Sequence, residues 1–211
     1  VYPVDAGVIE LDGRDITRTA PRNRVIFGMT RSFQNIRLMP HLSTIENVML
    51  GQHARARSLG QQLFPLGFAP RSKWKREAEA ALEQAGVGTY PGEVVANLPY
   101  GVQKRIEVVR AMVSQPKILL LDEPAAGLNP RESAELNGLL KSIRNDHGVS
   151  VLLIEHDMGV VMEISDHIVV LDYGKKISDG PAAEVRRDPQ VIAAYLGVAD
   201  DEVDEVERDP E

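Results

Sequence analysis

Two aliphatic runs, residues 117–121 (KILLL) and 149–154 (VSVLLI), constrain this chain more than any other feature. A strand that is apolar along its length, without alternation, signals burial on both faces, as in a parallel sheet under helices. Between the runs an amphipathic stretch opens at Asn129-Pro130-x-Glu132, with a cap residue, a proline in the first turn and a glutamate able to satisfy free amides. Strand, helix of about four turns, strand implies an α/β fold with a parallel sheet. Ligands of such sheets sit at the carboxyl ends of the strands. The first run delivers Asp122 and Glu123 there, and the second delivers Glu155 and His156.

An aspartate at that edge is a hard oxygen ligand suited to Mg²⁺. The glutamate beside it can orient or deprotonate an attacking water. The plainer reading is that Asp122 caps a loop and Glu123 is solvated.

The rest of the chain reads as short elements. Residues 8–11 form a strand leading into the Asp12-Gly13 turn, and residues 29–33 form another. Ser43 and Glu46 make a capping box that starts a helix reaching about residue 57. Residues 58–71, broken by Gly60, Pro65, Gly67 and Pro70, are a loop or broken helix, and Ser72 caps a helix to Gly86. From residue 100 to 114, Val102, Ile106, Val109 and Val113 recur at helical spacing as a buried stripe. A helix over 158–164, a hairpin around Tyr173-Gly174 and two short helices ending at Leu196 complete the reading.

Composition narrows the function classes. Of 31 acids and 24 basic residues, eight acids and one arginine lie in residues 200–211, so the remaining chain carries 23 of each. A neutral body argues against a general nucleic-acid binder, which needs a basic face to displace counterions. The acidic tail is expected to be disordered. The sequence has no cysteine, which excludes disulfides and thiolate metal sites. No apolar run approaches membrane-spanning length, so a membrane role has to come through a partner.

Three further strings are weak one by one. LPYGVQKR (98–105) opens the amphipathic helix, where backbone amides beside Gly101 can face an anion. VLLIEHD (151–157) places His156 just past a strand, and SFQN (32–35) places Gln34 after another. Taken in order, Gln34, LPYGVQ, LLLDEP, AGLNP and EHD resemble the ATP-binding cassette family, the ATPase subunits of ABC transporters. The likeness runs to about Gly197, and AAGLNP, IEHDM, VVLDYGKKI and VIAAYLG most resemble the branched-chain amino acid importers.

The resemblance implies a P-loop NTPase-like core with a parallel sheet plus an α-helical subdomain. It implies ATP and Mg²⁺ as cofactors, Gln34 as the Q-loop glutamine also near the metal, Asp122 as the Walker B metal ligand, Glu123 as the catalytic base and His156 as the switch histidine. Leu98, Gly101 and Gln103 match the signature that reaches the γ-phosphate held by the opposite subunit, and Asn129 sits at the D-loop position. The implied domains are a partial nucleotide-binding core over 1–34, a helical subdomain over 35–97, the signature helix and remaining core over 98–197, and the tail over 198–211. The implied partners are transmembrane permease subunits, a second ATPase subunit, identical or not, and indirectly an extracellular or periplasmic substrate-binding protein. Nucleic acid is not among them. The location implied is peripheral, on the cytoplasmic face of the cell membrane.

Departures from the family pattern are specific. Pro99 and Tyr100 replace the usual serine and first glycine of LSGGQ, Val102 stands where glutamine is usual, and Asn129 replaces an aspartate. No G-x-x-x-x-G-K-[ST] string occurs. In the family that P-loop precedes the stretch matching Val1 onward, so the N-terminal part is expected to be missing. These 211 residues alone are then expected to bind ATP poorly and to leave a central strand edge unpaired and prone to association.

Residues 47–76 hold no acid and six cations, Arg55, Arg57, Arg71, Lys73, Lys75 and Arg76, interleaved with Phe64, Phe68 and Trp74. This is either a solvated basic face or a docking surface for the permease's cytoplasmic loops, near anionic headgroups. The reading adopted is the ATP-hydrolysing subunit of an ABC importer. Its rivals are a truncated, non-hydrolytic docking module of the same system and a non-transport cassette ATPase of DNA repair or translation.

Overall fold

The computed structural model describes residues 4–32, 36–55 and 72–196. The chain forms two compact units, Val1–Ile154 and Glu155–Glu211. The first contains β1 (Glu10–Leu11), β2 (Arg14–Asp15), α1 (Pro21–Arg24), β3 (Met29–Arg31), α2 (Thr44–Gly51), α3 (Lys73–Gln84), α4 (Tyr100–Met112), β4 (Ile118–Asp122), α5 (Pro130–His147) and β5 (Ser150–Ile154). The second contains α6 (Met158–Ile164), β6 (Ile168–Asp172), β7 (Lys175–Gly180), α7 (Ala182–Val185) and α8 (Pro189–Leu196).

The two aliphatic runs are parallel neighbours in a sheet ordered β3-β4-β5, with Met29 opposite Ile118 and Asp122 opposite Ile154. One expectation needs correction: the runs are not buried on both faces. Leu119 and Leu121 are buried, but Leu152 and Ile154 are 57% and 64% exposed. The register sets Leu119 beside Val151 and Leu121 beside Leu153 on one face, and Leu120 and Asp122 beside Leu152 and Ile154 on the other. Helix α5 packs along β5, but no helix among the first unit's described residues screens Leu152 and Ile154 from water. The second edge of β5 likewise carries no strand among those residues.

Helix starts follow the capping chemistry of the sequence. Ser43 Oγ accepts the Glu46 amide, and the Glu46 carboxylate in turn accepts the Ser43 hydroxyl at 2.6 Å and the Ser43 amide at 2.8 Å; these last two bonds, the hydroxyl's foremost, hold that carboxyl below its usual range. Ser72 caps α3 by accepting the Lys75 amide at 3.1 Å. The helix from Ser43 is α-helical only to Gly51 and tightens to a 3₁₀ turn over Gln52–Arg55. Residues 56–71, including the expected loop, lie outside the described residues, as do Phe33, Gln34 and the acidic tail.

Helices α2, α3 and α4 enclose the largest core. Val48, Ala78, Leu82 and the expected stripe Val102, Ile106, Val109 and Val113 meet there. Burying each larger aliphatic side chain stabilises by about 1.5–3 kcal/mol. Where α2 meets α4, a Cβ on Gly51 would collide with the Arg110 carbonyl oxygen, so only glycine fits.

In the second unit β6 and β7 form the expected hairpin, with Tyr173 and Gly174 both at positive φ, as a two-residue loop of this hand requires. Ile168, Val185 and Val191 form its core.

Candidate functional site

Strand β4 ends on Asp122, whose neighbour across the sheet is Ile154. Arg31, the last residue of β3, donates from Nη2 to Asp122 Oδ2 at 2.7 Å. Glu123 then leaves the strand with φ +45, the left-handed region that costs a glutamate roughly 1–3 kcal/mol. Two constraints hold it there. Its amide donates to the Ile154 carbonyl at 2.9 Å, and Pro124 behind it disfavours the right-handed helical region. The chain turns back through Ala126 to Glu123 and Leu128 to Ala125 hydrogen bonds, which carries it from the carboxylate pair to Asn129. Strain of this kind persists where the surroundings over-determine it, and functional sites are where it collects.

The α4 N-terminus holds three more of the expected site residues. Leu98 is buried, and its carbonyl accepts the Gln103 side-chain amide at 2.8 Å. No side chain caps α4 at Pro99. Gly101 is buried against Glu132, the capping-box acid of α5. Asn129 is the N-cap of α5, its Oδ1 accepting the Glu132 amide at 3.0 Å while the Glu132 carboxylate accepts the Asn129 amide at 3.0 Å. Leu98, Gly101, Gln103 and Asn129 are thereby brought together at the neighbouring starts of two helices.

Sequence reading missed a buried clamp on the segment that follows Gln34. Glu107 on α4 is 3% exposed and accepts the Arg37 amide at 3.0 Å. Arg110, one turn on, donates to the Arg37 carbonyl at 2.7 Å and lies 3.8 Å from Glu107. Burial pushes the Glu107 carboxyl up, opposed by the Arg37 amide and by the charges of Arg110, Lys104 and Arg37. Burial likewise lowers the Arg110 guanidinium, opposed by Glu107. The available signal was an acid immediately after Ile106 in the apolar stripe, with an arginine three residues on. Gln34 itself lies outside the described residues.

In the second unit His156 is exposed, with Nδ1 4.0 Å from the Glu155 carboxylate. Asp157 caps α6, its Oδ1 accepting the Gly159 and Val160 amides at 2.8 and 3.2 Å. In the basic segment, Arg55 pairs with Glu77 at 2.7 Å and stacks over Trp74 at 5.1 Å, while Lys73 lies 3.6 Å from Glu77. Part of that charge is therefore neutralised within the fold. Among the described residues no three His, Asp or Glu side chains gather as a metal cage, and no helix is long and apolar enough to cross a membrane.

Comparison with known proteins bears out the resemblance. The family described as ABC transporter matches residues 1–126, more than half of the chain, and the chain belongs to that family. A second family, described as "Branched-chain amino acid ATP-binding cassette transporter", matches residues 175–201. The high-affinity branched-chain amino acid transport ATP-binding protein BraF of Pseudomonas aeruginosa is 41% identical over 201 residues, covering 94% of this chain and 79% of BraF. LivG of Salmonella typhimurium, with the same descriptive name, is 40% identical over the same shares. The crystal structure of the ADP conformation of an ATP-binding cassette from an ABC transporter superposes with a TM-score of 0.77 at 26% identity, covering 92% of this chain and 78% of that one. The fold is thus the α/β ATP-binding cassette, and the chain is an ABC ATP-binding subunit homologous to those of branched-chain amino acid transport.

Proposed function

We propose that this chain hydrolyses ATP to power import of branched-chain amino acids through a separate membrane permease. The observation that carries the reading is the acidic pair closing β4, with Asp122 in the last sheet position and Glu123 held at φ +45 by the Ile154 carbonyl. The relatives' descriptive names and the 175–201 match support the cargo.

Asp122 suits Mg²⁺. The ion commonly takes one or two carboxylates and fills its remaining positions with water and nucleotide phosphate, so one aspartate at a strand end fits and a full protein cage is not needed. When bound, the ion would neutralise charge on the phosphates. Glu123 orients the attacking water and accepts its proton as the water oxygen bonds to the γ-phosphorus and the β–γ bridging oxygen leaves with ADP. Gln34 senses the metal-bound water and His156 the γ-phosphate. Leu98, Gly101, Gln103 and Asn129 face the nucleotide of a second ATPase subunit. Because the sequence has no G-x-x-x-x-G-K-[ST] string, micromolar ATP affinity depends on a phosphate cradle from outside these residues. The subunit works at the cytoplasmic face of the membrane, docked on permease loops through the helical region 35–97, and receives cargo indirectly from a substrate-binding protein.

The test is uptake of radiolabelled leucine by proteoliposomes containing the chain, its permease and its binding protein. ATP-dependent leucine accumulation is the expected outcome. Accumulation that ignores ATP, or a complex indifferent to branched-chain amino acids, contradicts the reading.

A further inference from the structure

The start of α4 meets α5 at two levels and the turn before α5 at a third. A Cβ on Gly101 would stand 2.6 Å from both Oε1 and the carboxyl carbon of Glu132. The carboxylate cannot swing aside freely, because it also accepts the Asn129 amide at 3.0 Å. Beside this contact, the Tyr100 ring lies 3.4 Å from where a Cβ on Gly127 would sit, with Lys104 Nζ 5.7 Å from the centre of the same ring. One turn further along α4, Arg105 Nη2 meets Glu135 Oε2 at 3.1 Å.

A capping box needs only Asn129 and Glu132. It does not account for the same carboxylate filling the space over a buried glycine on the neighbouring helix. In this arrangement any residue larger than glycine at 101 displaces Glu132, and displacing Glu132 releases the turn that presents Asn129.

We propose that Glu132 is a positioning residue: lodged between Gly101 and the Asn129 amide, it holds the LPYGVQ turn and the Asn129 turn in fixed register so that both meet the second subunit's nucleotide together. The inference rests on the proposed function for its consequence, but not for the interlock.

The experiment is a double-mutant cycle with Gly101→Ala, Glu132→Ala and the double variant, plus Glu132→Gln, which keeps the volume and an acceptor for the Asn129 amide. In the assembled transporter, Gly101→Ala and Glu132→Ala each lower kcat about tenfold, and the double variant is no slower than Glu132→Ala alone. Glu132→Gln stays within about threefold of the parent, and KM for ATP changes less than about twofold throughout. Multiplying effects in the double variant, or a Glu132→Gln as slow as Glu132→Ala, overturn the positioning role. Urea unfolding of the same full chains reads the interlock without activity: the Gly101→Ala loss shrinks when Glu132 is already alanine, and additive losses refute the interlock. A Glu123→Gln control separates the two readings. Undiminished hydrolysis there removes Glu123 and the β4 terminus from the chemistry, and with them the site that the inference's catalytic consequence needs, whereas a dead control with an additive kcat cycle sinks the positioning role alone.

Discussion

Arg31 Nη2 sits 2.7 Å from Asp122 Oδ2, so the carboxylate assigned to the metal is already held by a cation from the adjacent strand. The arginine is about half exposed, which places the pair among surface ion pairs worth roughly 0.2–1 kcal/mol. If Asp122 binds Mg²⁺, that bond is broken first. Arg31→Ala is expected to lower the Mg²⁺ concentration for half-maximal ATPase activity by up to about fivefold in the assembled transporter. A magnesium titration checks it, and an unchanged or higher requirement counts against Asp122 as the ligand.

Glu107 gives a pH dependence whose sign can be worked out. Its carboxyl is raised in the fold, chiefly by burial, so the native state binds the proton more tightly than the unfolded chain. Its contribution is fully present below the ordinary glutamate range and is lost as pH rises through the raised folded value. Carboxyls held low, such as Glu46 and Glu77, act in the opposite sense but are common to parent and variant. Glu107→Gln should therefore gain stability relative to the parent as pH rises above that range. Urea midpoints at a series of pH values measure the gap, and a constant gap removes the buried carboxylate from the account.

Gly51 tests the packing of α2 on α4. A methyl group there meets backbone, the Arg110 carbonyl, which cannot rotate away as a side chain could. Gly51→Ala is expected to destabilise by about 1–3 kcal/mol, despite alanine's better helix propensity. A thermal unfolding midpoint equal to or above the parent's would show that the two backbones are not in contact.

The exposed aliphatics of β5 carry a prediction about association. Leu152 and Ile154 are more than half exposed beside a strand edge with no partner among the described residues, an arrangement that invites pairing between copies. Sedimentation of the 211-residue chain should show concentration-dependent self-association, reduced by Leu152→Lys with Ile154→Lys. A monomer at all concentrations, or association indifferent to the two lysines, rules this face out.

The legible parts of this molecule were those governed by neighbours in sequence. Ser43 with Glu46 and Asn129 with Glu132 announced helix starts because a capping box closes within four residues. The stripe from Val102 to Val113 announced the core face of α4 because helical periodicity is local. What escaped depends on partners far along the chain. The exposure of Leu152 and Ile154 is set by what lies over the sheet, not by their own apolarity. The Arg31 to Asp122 and Glu107 to Arg37 bonds span 91 and 70 residues, and no local pattern announces such pairs. The expected site residues stand in the sequence as strings in a familiar order. The carbonyl of Ile154 holding Glu123, and the fit of Glu132 over Gly101, join residues far apart in sequence and arise only when the sheet and the two helices are packed.

ATP hydrolysis by the complete transporter carrying Glu123→Gln tests the account most directly. The amide cannot take the proton from water, so turnover should fall by about 10²–10⁴ while nucleotide binding and complex assembly persist. Hydrolysis at the parental rate in that variant would contradict the assignment of Glu123, and with it the reading of the β4 terminus as the site of chemistry.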